Sequence, residues 1–170
     1  MPTIGVSVAV PEPHGARLQD YRIGLGDMEA RQIPTHITLV PPYDVPDADL
    51  DEIRAHLGEV AGRTPSFRVH LRGTGTFRPR SPVVFVGVVE GISACERLAA
   101  DLRRGPLAID VEFPYHPHVT VAHHLQDEAM DRAFDELGGF EAKFDVAEFW
   151  LYVHTDDEGW QPVRSYSLDG

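Results

Sequence analysis

Two segments decide the fold: Pro34-Thr35-His36-Ile37-Thr38-Leu39-Val40 and His116-Pro117-His118-Val119-Thr120-Val121-Ala122. Each reads as a short strand in which polar and apolar residues alternate. Residues i and i+2 of a strand share a face, so His36 and Thr38 point one way while Ile37 and Leu39 point the other. His118 and Thr120 stand in the same relation to Val119 and Val121. The two histidines are 82 positions apart (118 minus 36), close to half of the 170 residues, which invites comparison of one half of the chain with the other.

The halves repeat. In the first, Thr3 to Val10 alternates as a strand, Leu18, Tyr21, Leu25 and Met28 recur at helical spacing, and Thr35 to Val40 is a strand ended by Pro41-Pro42. Leu50, Ile53, Leu57, Val60 and Ala61 mark a second helix, and Phe67, Val69 and Leu71 alternate with Arg68, His70 and Arg72 as a half-buried strand. In the second half, Pro82 to Glu90 is an almost wholly apolar strand. Ile92, Cys95, Leu98, Ala99 and Leu102 form the stripe of a helix, with Ser93 and Glu96 as a capping box. The strand His118 to Ala122 follows, then a helix over Leu125 to Leu137 stopped by Gly138-Gly139, and strands around Asp145 to Val153 and Pro162 to Leu168. The expected fold is α+β. Two pseudo-symmetric lobes, approximately 3–81 and 82–170, each carry an antiparallel sheet with helices on its outer face and meet at a central cleft within one bilobal domain, 1–170.

Composition narrows the function. Fifteen Lys and Arg against 27 Asp and Glu leave a formal charge of −12, which argues against duplex DNA, whose binding depends on many basic contacts to phosphates. The single cysteine, Cys95, forms no internal disulfide and leaves too few thiolates for a structural zinc site. The longest apolar run, Val83 to Val89, is about a third of a membrane span, and Met1 to Val10 has no basic leader region, so a cytoplasmic protein without a membrane partner is expected.

Two imidazoles and two hydroxyls converging across a cleft suit a phosphodiester. One histidine takes a proton from the attacking oxygen and the other gives one to the leaving oxygen, while the threonines donate to the non-bridging oxygens. His36-Ile37-Thr38-Leu39 and His118-Val119-Thr120-Val121 resemble the paired H-x-T/S-hydrophobic motifs of the 2H phosphoesterase superfamily, which includes 2′-5′ RNA ligase and cyclic phosphodiesterase proteins. Gly73-Thr74-Gly75-Thr76-Phe77 and the strand Val83 to Val88 look like that family's central stretch. The resemblance implies His36 and His118 as the acid/base pair, Thr38 and Thr120 as phosphate anchors, and no cofactor. It also implies metal-independent opening, or reversible formation, of 2′,3′-cyclic phosphate or 2′-5′ linkages. The acidic charge favours a small nucleotide or cyclic phosphate as partner, with RNA ends left open.

Other residues are candidates to line the cleft. Arg68 and Arg72 could hold a phosphate, and Trp150 and Tyr152 could stack on a base; His70 and His154 share their strand faces. Tyr43 and Tyr115 sit at strand ends, where ligand-binding loops gather. Alternatives stand beside this reading. His36 and His118 could be core histidines bonded to the neighbouring threonines, or the fold could bind a nucleotide or cyclic phosphate without turning it over. His116, His118 and His124 share strand parity and could hold a metal, but the segment has no carboxylate and the threonines would have no role.

Overall fold

The computed structural model describes residues 1–110 and 114–170. Its strands are β1 (Thr3–Ala9), β2 (His36–Asp44), β3 (Phe67–Thr76), β4 (Val83–Glu90), β5 (His118–His123), β6 (Glu141–Val146), β7 (Glu148–Thr155) and β8 (Gly159–Ser167). Four helices, α1 (His14–Gly24), α2 (Leu50–Arg63), α3 (Ile92–Leu102) and α4 (Asp127–Glu136), separate them. The strands form two antiparallel four-stranded sheets, ordered β2-β1-β7-β8 and β5-β4-β3-β6. This is the α+β architecture of two sheets with helices read from the sequence.

The sheets do not coincide with the halves of the chain. Only the residues from Phe77 to Pro82 join β3 to β4, and so short a link makes them antiparallel neighbours. A boundary at 81/82 therefore cuts a hairpin, and β3 joins the sheet of the second half. The stretch around Asp145 to Val153 is two strands rather than one. Val146 is buried in the second sheet and Phe149 in the first, and this odd spacing breaks the alternation at Ala147, where the chain crosses over. The helices cross too: α1 packs against β5 and α3 against β2, while α2 covers β8 and α4 covers β3, β4 and β5.

Each sheet buries one face against these helices. Ile37, Leu39, Val119 and Val121 are fully enclosed there, as the alternation demands. The opposite faces are left to line a cleft. Its sides are β2 and β5, each the edge strand of its own sheet, packed against one another. Helix α1 stops at Gly24, short of Met28, because Gly26 turns the chain at φ 103°. At α3 the Ser93–Glu96 box is not used: the helix begins behind Gly91, with no side-chain cap.

Candidate active site

His36 and His118 are built alike. Each opens its strand, and each Nδ1 lies 2.7 Å from the backbone carbonyl two residues earlier, that of Pro34 and of His116 respectively. A carbonyl only accepts, so in the neutral ring Nδ1 carries the hydrogen and Nε2 carries the lone pair. Neither Nε2 has a protein partner among the described residues, and neither do the hydroxyls of Thr38 and Thr120. The only enclosed side-chain polar atom without a partner, among the same residues, is Tyr166 Oη, so none of these four groups is sealed away from solvent. The histidines are bonded to backbone, not to the threonines beside them.

The surroundings of the two rings differ. Burial pushes the His36 imidazole below its ordinary value of 6.5; the bond to the Pro34 carbonyl opposes this, and the nearby Arg22 charge adds to it. Burial also pushes His118 down, again against its carbonyl bond, with His116 and His36 contributing. His118 stands against an aromatic wall, its ring centre 5.0 Å from Phe77 and 5.3 Å from Phe85. That wall needs Gly75, opposite Phe85 in the sheet, because a Cβ there would fall 2.5 Å from the Phe85 ring.

A cavity of about 320 Å³ opens between the sheets, with His36, Thr38 and Thr120 on its wall; His118 lies just outside the lining, one strand step from Thr120. Of the other residues singled out from the sequence, Tyr152 lines the cavity. Trp150 is the cross-strand partner of Ser7, which does line it, but is not itself part of the wall. Tyr43 is 43 % exposed outside it. Arg68 and Arg72 also lie outside the wall; Arg68 pairs with Asp145 at 3.7 Å, and His70 between them is 2.7 Å from Glu141. His154 packs near Trp160, ring centres 5.0 Å apart.

Tyr115 has a different place from the one expected. Its hydroxyl donates to the Thr38 carbonyl at 2.7 Å, so it works on the backbone of β2. Arg103, at the end of α3, donates through Nε to the next carbonyl, Leu39, at 3.0 Å, and its guanidinium lies 5.1 Å from the Tyr115 ring centre. Burial pushes the Tyr115 phenol well above its ordinary range, which keeps it a donor. As for a metal, the His116 and His118 ring centres are 5.7 Å apart, and no group of three His, Cys, Asp or Glu is arranged to hold one among the described residues.

Four polar or aromatic side chains on the cavity wall, Ser7, Arg22, His123 and Trp160, were not among the cleft candidates read from the sequence. Ser7 carried a signal, as the polar member of the run Ile4, Val6, Val8. Arg22 sits in a helix whose apolar stripe does not include it. Trp160 reaches the wall only through the pairing of β8 with β7, a register that no local pattern prints.

Comparison with known proteins bears on the family and the fold. Residues 10–158 match the family model of the 2'-5' RNA ligase superfamily. A candidate phosphoesterase of Bacillus cytotoxicus is 27 % identical over 156 residues, covering 89 % of this chain and 90 % of that protein. Escherichia coli LigT, solved with NADP+, superposes with a TM-score of 0.73 at 22 % identity, over 99 % of this chain and 98 % of LigT. Usb1 of Kluyveromyces marxianus shares the fold more distantly, with a TM-score of 0.55 at 13 % identity over 98 % of both chains. The chain belongs to the 2'-5' RNA ligase superfamily, the two-histidine (2H) phosphoesterases.

Proposed function

We propose that this protein opens 2′,3′-cyclic phosphate or 2′-5′ phosphodiester linkages of small nucleotides, with RNA ends as further substrates, by metal-independent two-histidine acid/base catalysis. The observation that carries this reading is the doubled arrangement at the motifs. Each Nδ1 is tied to a carbonyl and each Nε2 is open, beside a threonine hydroxyl that no protein group occupies. A structure of E. coli LigT with 3'-AMP supports a nucleotide as the ligand class.

In hydrolysis a water oxygen attacks phosphorus and its proton passes to the Nε2 lone pair of one histidine. The bond from phosphorus to one ribose oxygen breaks, and that oxygen takes a proton from the other, protonated histidine, leaving a phosphomonoester. His36 takes the base role in this reading because burial and the nearby Arg22 charge both disfavour its imidazolium, so it rests neutral with its Nε2 lone pair free to accept. His118 then serves as acid, its imidazolium favoured once the substrate's negative phosphate is bound. Thr38 and Thr120 donate to the non-bridging oxygens, where charge develops. The roles exchange in the reverse direction.

The test is hydrolysis of the four 2′,3′-cyclic nucleoside monophosphates in EDTA by wild type and by His36→Ala, His118→Ala and the double variant. Each single change is expected to cost about 10² to 10⁴ in rate, the double no more than the worse single, because the pair works as a unit. Full activity in His36→Ala would overturn the assignment. Absent turnover, with the same nucleotides protecting the fold against heat, would make the protein a nucleotide-binding module instead.

A further inference from the structure

We infer that Arg22 anchors a second phosphate of the substrate, one carried on the 5′ oxygen of the nucleotide whose cyclic phosphate reacts between His36 and His118. The inference deepens the proposed function and rests on its reading of the cleft.

Arg22 is 4 % exposed, yet it is part of the cavity wall. Its placement is local. Gly26, at φ 103°, reverses the chain after α1, so that the Asp27 N–H donates to the Arg22 carbonyl at 3.1 Å. The Asp27 carboxylate then folds back onto the guanidinium, and one oxygen, Oδ2, accepts from Nε at 3.2 Å and from Nη2 at 2.8 Å. Nη1 donates to no protein acceptor among the described residues. It is also absent from the enclosed unpartnered atoms, so on a side chain this buried it looks out through the cavity.

An ion pair of this kind is a poor investment for stability alone, because two well-packed apolar residues usually do as well. What the pair supplies here is a rigid fork: Asp27 fixes one edge of the guanidinium and leaves the other facing ligand. A guanidinium edge is the geometry that matches phosphate oxygens. Arg22 is also near enough to His36 and His123 for its charge to disfavour protonation of both. It shares the cavity wall with His36, Thr38, Thr120 and His123, and the two threonines already offer donors to the reacting phosphate, which leaves Arg22 for a second one. A 5′-phosphate is the anionic group that a nucleotide 2′,3′-cyclic phosphate most directly adds beside the reacting one. It occurs as a monoester in a small nucleotide and as a diester at an RNA end.

Three substrates separate these cases: adenosine 2′,3′-cyclic phosphate, the same compound with a 5′-phosphate, and a dinucleotide ending in adenosine 2′,3′-cyclic phosphate. Wild type is expected to favour the 5′-phosphorylated mononucleotide over the first by about 10- to 100-fold in kcat/KM, mainly through KM, the worth of a charge-assisted hydrogen bond. Arg22→Gln should reduce that ratio to about threefold or less. So should the double variant Arg22→Met, Asp27→Leu, which removes the pair without stranding a charge. A dinucleotide that shares the preference identifies a diester as sufficient; one that does not restricts the anchor to the monoester. Wild type that turns over all three with equal kcat/KM overturns the anchor while the proposed function stands. If wild type turns over none, that function fails, and the anchor is judged by thermal protection. Stronger protection by the 5′-phosphorylated compound, lost in both variants, upholds it, and equal protection overturns it.

Discussion

An imidazole buried in its neutral form loses that form only when the pH falls below the ordinary 6.5, and this sets the direction of the reaction's pH dependence. Both motif histidines are shifted down, chiefly by burial. The base is competent when neutral, so kcat/KM on a 2′,3′-cyclic nucleotide should fall with acidification along a limb centred below 6.5. A limb centred above 7 would contradict the burial argument. In Arg22→Gln a positive charge that disfavours the His36 imidazolium is gone, so the limb should move to higher pH. At this scale the placement of the motif side chains was legible: a strand assigns faces by parity, which puts His36 with Thr38 and His118 with Thr120, while the roles proposed for them come from the resemblance of the paired motifs. The placement of Arg22 was not, since it is set by a carboxylate five residues on, brought back by a glycine turn.

Strand β2 carries the first motif at the edge of its sheet, where it pairs with β1 and, among the described residues, with no other strand. Its other side is held by Tyr115 and Arg103, which bond the successive carbonyls of Thr38 and Leu39. Tyr115→Phe removes one neutral hydrogen bond, expected to cost about 1 kcal/mol in urea unfolding. It should also lower kcat about 3- to 30-fold, since small displacements of positioned groups are costly, with KM changed less. Unaltered kcat would make the contact purely structural. The elements themselves were mostly visible in the apolar spacing. Tyr115 was readable as a strand-end aromatic, but the side of β2 it faces depends on the packing of α3 against β2, which is a tertiary fact. The Ser93–Glu96 pair had the spacing of a cap and went unused because α3 starts from a left-handed Gly91.

A formal charge of −12 repels polyanions more than it repels a single nucleotide. Raising the ionic strength from about 0.01 M to about 0.15 M shortens the Debye length from about 30 Å to about 8 Å. Over that range kcat/KM for a long RNA ending in a cyclic phosphate should rise several-fold, and that for a cyclic mononucleotide much less. A steep fall with salt for the RNA would instead reveal a local basic track. Fold class and cleft could be read from the repeat, but the exchange of strands between the sheets could not, because a sequence repeat shows which segments correspond and not which sheet each one joins. That exchange makes each half depend on the other. The first half-chain alone would extend β3 away from its own β1 and β2, with no sheet to receive it, and would present one histidine and one threonine to empty solvent. In the intact chain the first half sends β3 into the second sheet and the second half sends β7 and β8 into the first, which brings the second histidine and threonine into place. The cleft is thus the seam of a reciprocal strand exchange, closed by the short link through residues 77–82.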